Sequence, residues 1–186
     1  NLVENLLAVT RIEGGQVNLT RSIELMDEVV SEALKHINRK SKEHTIRVTS
    51  GKDFILAHID AKLIVQVIIN LVDNAIKYNY HGGRVIVLAQ ITSPTVLEIS
   101  ISDTGRGISP ENLPRVKEKF YKTDNTVVGS GIGLAVADEI VKLHGGTLNI
   151  DSILNEGTTV TITLPIEAVT YTDEKEVHDE EAKNSN

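Results

Sequence analysis

Along one apolar stretch of the chain, Gln66, Asn70, Asp73, Asn74 and Lys77 stand at helical spacing. At about 100° per residue they form a stripe little more than about 100° wide, while Ile64, Val65, Ile68, Ile69, Leu71, Val72, Ala75 and Ile76 cover the remaining surface. Two amide oxygens four residues apart, with an ammonium one turn on, can share a Mg²⁺ ion and the phosphates bound to it. An ordinary solvated face has the same pattern. Against that alternative, each mid-helix asparagine costs roughly a few tenths of a kcal/mol relative to the Lys or Glu that would solvate the face equally well.

Two glycine-bearing segments extend the theme. Ser102-Asp103-Thr104-Gly105-Arg106-Gly107-Ile108 closes a β-rich run with a carboxylate that can accept from an exocyclic amine, and its glycines let the backbone turn sharply and approach a flat ligand. A tight turn capped by Asp103 is the other reading. Gly129-Ser130-Gly131-Ile132-Gly133-Leu134 opens a helical run, where alternate glycines expose backbone N–H groups at the positive end of a helix dipole, a setting suited to polyphosphate. Its spacing is neither that of the dinucleotide fingerprint nor that of a P-loop, and a plain glycine hinge is its alternative. Four of the six aromatic residues flank these segments: Tyr78 and Tyr80 follow the amide stripe, and Phe120 and Tyr121 precede the glycine loop. Rings there can wall a purine or anchor a lid, while core packing is the alternative for Phe120.

The elements that must position these groups are mixed. Apolar spacing predicts a helix ending at Gly14-Gly15, alternation predicts a strand over Gln16 to Leu25, and Val29, Val30, Ala33, Leu34 and Ile37 share one face of a helix from Met26 to about Lys40. His44 to Ser50 and Phe54 to Ile59 read as strands of a hairpin around the turn signal Ser50-Gly51-Lys52-Asp53. Asp60 is the expected N-cap of the amide-bearing helix, which runs to about Tyr78. A central hairpin over Arg84 to Ile91 and Val96 to Ser102 follows, then a loop-rich region, a helix from about Ile132 to Leu143, and a strand pair over Thr147 to Asp151 and Thr158 to Leu164. The expected fold class is α+β, a two-layer sandwich with helices on one face of a mixed, mostly antiparallel sheet.

Composition bounds the function. With 186 residues, 40% hydrophobic and 24% charged, the chain is sized for one globular domain. A net charge of −7 argues against a nucleic-acid partner. There is no cysteine, hence no disulfide or thiolate chemistry, and a reducing cytoplasm fits. No run is long and apolar enough to span a bilayer, so no membrane contact is expected of this piece. Residues 168–186 carry six carboxylates against two lysines, −4 of the −7, and read as an acidic disordered tail.

Taken in order, Asn70-Leu71-Val72-Asp73-Asn74-Ala75-Ile76-Lys77-Tyr78, Asp103-Thr104-Gly105-Arg106-Gly107-Ile108, Lys119-Phe120-Tyr121-Lys122, Gly129-Ser130-Gly131-Ile132-Gly133-Leu134 and Gly157-Thr158 resemble the N, G1, F, G2 and G3 boxes of sensor histidine kinases. Within that family, Val29 to Tyr78 is most similar to the potassium-responsive sensor kinases. The resemblance implies a Bergerat-type sandwich that binds ATP and Mg²⁺ beneath a mobile lid. Asn74, with Asn70 assisting, would hold the metal. Asn70, Lys77 and Lys122 would be the catalytic groups, the two lysines meeting phosphate oxygens. Tyr78 would lie along ribose or adenine, Asp103 would accept from the adenine amine, Gly105 and Gly107 would shape the purine pocket, and Thr158 would support Asp103 through its hydroxyl or a water. Ile108, Tyr121 and Leu134 complete the implied ATP site. Residues from about Asn112 to Val128 would form the lid, hinged on Gly129, Gly131 and Gly133.

This chain departs from the family pattern in three places. Lys117 stands where an aromatic lid anchor is usual, which puts lid closure in doubt, and Lys122 stands where arginine is frequent. None of the six histidines has the sequence context of the family's phosphoacceptor. The expected organisation is therefore the end of a dimerisation and phosphoacceptor hairpin over 1–15, a catalytic ATP-binding domain over 16–167 and the tail over 168–186. Such a domain would transfer the γ-phosphate to a histidine on a hairpin absent from this chain, for relay to a response-regulator receiver domain. The implied parent is a homodimeric, membrane-bound receptor with this domain in the cytoplasm. Two alternatives stay open: a degenerate binding module without kinase activity, and an ATPase of the Hsp90 and gyrase type. The latter uses a glutamate where this chain has Asn70, and an amide cannot take a proton from water.

Overall fold

The computed structural model describes residues 2–15, 18–37, 45–50, 54–123 and 129–166. Its elements in chain order are α1 (Leu2–Glu13), β1 (Ser22–Leu25), α2 (Met26–Lys35), β2 (Thr45–Ser50), β3 (Leu56–Ile59), α3 (Ala61–Lys77), β4 (Arg84–Ser93), β5 (Val96–Asp103), α4 (Gly133–Leu143), β6 (Thr147–Ile153) and β7 (Gly157–Pro165). A 3-10 turn, Leu113–Arg115, interrupts the loop-rich region.

Strict alternation builds the main sheet. Val85, Val87 and Ala89 of β4, Leu97, Ile99 and Ile101 of β5 and Ile162 and Leu164 of β7 are all buried, and they meet as cross-strand pairs such as Ile99↔Ile162 and Leu97↔Leu164. The strand order is β2-β4-β5-β7-β6, antiparallel except for β2 against β4. Helices cover this one apolar face. In α3 the buried side is Ile64, Val67, Ile68, Leu71, Val72, Ala75 and Ile76, and α4 contributes Val136, Ala137, Ile140 and Val141 to the same core. The described residues contain no helix long and apolar enough to cross a membrane.

Asp60 ties the layers together. Its carboxylate accepts from the Leu63 N–H at 3.3 Å, capping α3, and from the Thr20 N–H at 2.9 Å. Its own N–H donates to Nε2 of His144, at the C-cap of α4, at 3.2 Å. The buried His144 ring donates from Nδ1 to the Ile140 carbonyl at 2.8 Å, which fixes the neutral tautomer. Burial lowers its pKa from the ordinary 6.5, with Arg21 adding to that effect and the Ile140 carbonyl and Asp60 opposing it.

The expected hairpin between the second and third strands is not formed. β2 lies parallel to β4 on the edge of the main sheet, and β3 pairs antiparallel with β1 in a separate two-stranded sheet. A turn signal is local and does not say which edge each strand joins. β3 runs directly into Asp60, whose bond to Thr20 draws the start of β1 alongside. Of the strand expected over Gln16 to Leu25, the described residues from 18 onward form strand only over Ser22–Leu25, and the helix expected to reach Lys40 ends at Lys35. Residues 38–44, 51–53, 124–128 and the acidic tail lie outside the described residues.

Candidate functional site

A cavity of about 920 Å³ opens between α3, α4, the end of β5 and the loop after it. It is lined by Asn70, Asn74, Lys77, Tyr78, Asp103, Gly107, Ile108, Tyr121, Lys122, Gly129, Gly131, Gly133, Leu134 and Thr158, drawn from segments nearly ninety residues apart. Of the site residues expected from sequence, Gly105 alone is not on this wall.

Gly105 serves the protein instead. A Cβ there would sit 2.5 Å from the Tyr78 carbonyl oxygen, and the next residue, Arg106, donates its N–H to that same oxygen at 3.0 Å. Gly107, at φ +65°, passes so close to the Ile153 carbonyl that a side chain would overlap it, while the Arg106 carbonyl accepts from the Asn155 N–H at 2.7 Å. The loop is thus docked on the C-terminus of α3 and on the β6–β7 turn. Close approach is required here by backbone, at the Tyr78 and Ile153 carbonyls, and Gly107 also lines the cavity.

Asp103 stands at the mouth of this docked loop, at the end of β5. Its Oδ1 accepts from the Gly105 N–H at 2.8 Å. Burial raises its pKa, and the backbone N–H groups of Gly105 and Thr158 pull the other way. Thr158 supports the carboxylate through its backbone, whereas the expectation was a hydroxyl or water. The Thr158 hydroxyl lies 2.8 Å from Ser152 Oγ. Ser152 also accepts from the Ile108 N–H at 2.8 Å and donates to the Gly157 carbonyl at 2.9 Å, so one hydroxyl fastens the loop to the last two strands. Sequence reasoning passed over Ser152, whose partners lie up to 44 residues away.

The opposite end of the cavity is built from α3 and the N-terminus of α4. Ile132 caps α4 without a side-chain hydrogen bond, and Gly133 lies against Asn70, where a Cβ would come within 3.6 Å of the amide. The start of α4, Gly133 and Leu134, thus lines the cavity, and its first-turn N–H groups have no side-chain cap. Asn70 is 7% exposed and bonded to Asn5 of α1, a residue that sequence reasoning also missed. The available signal was a lone asparagine in the apolar stripe Leu2, Ala8, Val9 and Ile12. Lys77 is ion-paired with Asp73 one turn back, and its ammonium borders Gly129.

Between the two ends, Tyr121 is held by its hydroxyl to Asn112 Oδ1 at 2.7 Å and by the Arg115 guanidinium over its ring at 4.3 Å. Phe120 adopts φ +64° and donates its N–H to the Gly131 carbonyl at 2.9 Å, so the aromatic segment and the glycine loop lie back to back. Lys117 is anchored where an apolar side chain was expected. It pairs with Asp138 of α4 at 3.0 Å and donates to the Leu148 carbonyl. An ionic tie replaces the missing aromatic at the base of the expected lid.

Among the described residues there is no group of three or more His, Cys, Asp or Glu side chains able to hold a metal by themselves. The donor set offered is oxygen only, from side-chain amides beside an open helix N-terminus. That set fits Mg²⁺ arriving with phosphates rather than a resident ion in a protein cage.

Residues 59–168 match the family described as histidine kinase-, DNA gyrase B-, and HSP90-like ATPase. The chain belongs to that family. It is 37% identical over 151 residues to Sensor protein KdpD of Clostridium acetobutylicum, covering 79% of this chain and 17% of that protein. It is 32% identical over 171 residues to sensor histidine kinase WalK of Bacillus subtilis, covering 88% and 28%. Among solved structures, a mycobacterial sensor histidine kinase MprB superposes with a TM-score of 0.72 at 30% identity, covering 81% of this chain and all of that one. Full-length ShkA in complex with AMPPNP shares the fold, with a TM-score of 0.81 at 22% identity over 91% of this chain and 36% of that one. The chain spans between 17% and 35% of the length of the curated relatives it matches first. It is an ATP-binding domain of the histidine kinase type.

Proposed function

We propose that the cavity binds Mg·ATP with adenine at Asp103 and the triphosphate between Asn70, Asn74, Lys77, Lys122 and the N-terminus of α4. The observation that carries this reading is the convergence of five sequence-distant segments on one cavity, with a carboxylate at one end and amides, ammonium groups and a helix N-terminus at the other. Asp103 accepts the exocyclic amine of adenine, and Tyr78 and Ile108 flank the base. Asn74 and Asn70 hold the Mg²⁺, which neutralises charge on the phosphates when bound. Lys77 exchanges Asp73 for a phosphate oxygen, and Lys122 meets the triphosphate from the other side as a point charge.

The chemistry is phosphoryl transfer to a histidine on a helical hairpin. The imidazole nitrogen forms a bond to the γ-phosphorus as the bond to the β–γ bridging oxygen breaks, ADP leaves, and the ring proton passes to solvent. Positioning and charge neutralisation suffice for such a step. Rapid hydrolysis is disfavoured. Asn70 offers no base, and Asp73, the other carboxylate on the wall beside Asp103, carries the Lys77 ammonium. On this reading α1 belongs to the dimerisation hairpin of a homodimeric, membrane-bound parent, this domain lies in the cytoplasm, and the phosphate passes on to the aspartate of a receiver domain.

The test is to mix the chain with a separately produced hairpin bearing the acceptor histidine and γ-labelled ATP. Acid-labile label on the histidine, lost with Asn74→Ala, supports the proposal. Tight ATP binding with no transfer would leave a binding module.

A further inference from the structure

Asn5 and Asn70 form a reciprocal amide pair across 65 residues of sequence: Asn5 Nδ2 donates to Asn70 Oδ1 at 3.2 Å, and Asn70 Nδ2 donates to Asn5 Oδ1 at 3.3 Å. Gln66 Nε2 donates to the same Asn5 oxygen at 3.0 Å. Both asparagines are 7% exposed and both line the cavity. The Asn70 oxygen is therefore turned toward α1 and faces the positive end of an N–H dipole. A cation approaching that oxygen has to share it with a donor or displace the donor.

The element that carries Asn5 leaves several apolar side chains exposed. Among the described α1 side chains, Ala8 and Ile12 pack against the core, whereas Val3, Leu6 and Leu7 are 68%, 45% and 49% exposed. The amide cluster adds polar contacts to the apolar ones of Ala8 and Ile12 that seat α1 over the site. A shift of α1 by little more than a hydrogen-bond length would free Asn70.

Resting on the reading that Asn70 serves the metal-bearing phosphates, we propose that Asn5 is an intramolecular inhibitor. With α1 docked, its amide occupies Asn70 and weakens Mg·nucleotide binding, and displacement of α1 releases it. The device couples the position of the N-terminal helix to nucleotide affinity through a single side chain.

Calorimetric titration with ATP, with Mg²⁺ and with the metal chelated, tests this on the unaltered chain, Asn5→Ala, Asn70→Ala and the double variant. Alanine preserves the helical propensity of α1. Asn5→Ala is expected to bind Mg·ATP about three- to ten-fold tighter, the equivalent of roughly one buried hydrogen bond, with no change when metal is chelated and no gain in the Asn70→Ala background. Unchanged or weaker Mg·ATP binding by Asn5→Ala, a gain that persists without metal, or a gain that survives Asn70→Ala overturns the inhibitory role. If Asn70→Ala itself leaves the Mg²⁺ dependence intact, the assignment of Asn70 to the metal fails first, and the inhibitory role fails with it.

Discussion

The two ends of the cavity are prepared in opposite ways. At the Asp103 end the supporting contacts run largely through backbone groups: Gly105 and Thr158 N–H groups to the carboxylate, the Ile108 N–H to Ser152 Oγ, and the loop itself to the Tyr78 carbonyl and the Asn155 N–H. At the Asn70 end the polar groups are occupied by other side chains of the same protein, Asn70 by Asn5 and Lys77 by Asp73. On the proposed reading, one end is already arranged to receive a base, and the other exchanges partners before it holds phosphates. Under that proposal, preorganisation where specificity is set, with exchangeable contacts where phosphate is held, would let nucleotide affinity respond to something outside the cavity.

Four changes sharpen or break that contrast. The largest effect is expected from Asn74→Ala, which on the proposed reading removes the principal amide ligand. Mg·ATP binding should weaken by more than about a hundred-fold in a calorimetric titration, and normal affinity would remove Asn74 from the metal site. Asp103→Asn follows. Replacing a charged acceptor by an amide should cost about ten- to a hundred-fold in ATP affinity, with little dependence on Mg²⁺, because the loss is at the base and not at the phosphates. Equal losses with and without metal distinguish it from Asn74→Ala.

Ser152→Ala is a milder test of the fixed end. It leaves the Ile108 N–H without its partner, so thermal unfolding should show a loss of about 1 kcal/mol, accompanied by a few-fold weaker nucleotide binding. An unchanged melting temperature would mean that the hydroxyl does not fasten the loop. The smallest effect concerns His144, remote from the cavity. Its folded pKa lies below the ordinary 6.5, so between those values the unfolded chain binds the extra proton. Its contribution to stability is complete above about pH 6.5 and is lost as pH falls through the folded value. Melting temperatures measured down through that window should fall in the unaltered chain and fall less in His144→Gln. Parallel curves would show that other groups govern the slope.

Much of this fold is legible in the sequence because its determinants are local. Asp60 caps α3 where the helix begins, the apolar period of α3 and α4 matches their buried faces, and the β4–β5 and β6–β7 pairs are joined by short turns. The parallel β2–β4 pair is not local, since α3 separates the strands, and no turn signal could announce it. The cavity wall was similarly readable as residue types at spacings, but the partners of those residues were not. Asn5 reaches Asn70 from another helix, Ser152 meets Ile108 from another strand, and Lys117 finds Asp138 on α4. Glycine is the instructive case. The need for close approach at Gly105 and Gly107 was visible, yet what approaches is the Tyr78 and Ile153 backbone.

The central claim is that this cavity recognises adenine through Asp103. Competition between ATP and GTP for the chain in Mg²⁺ tests it most directly, because guanine presents an oxygen where adenine presents its amine. The account predicts saturable ATP binding at least about ten-fold tighter than GTP, and a narrowed gap in Asp103→Asn. Equal affinity for the two nucleotides, or discrimination that Asp103→Asn leaves untouched, would contradict it.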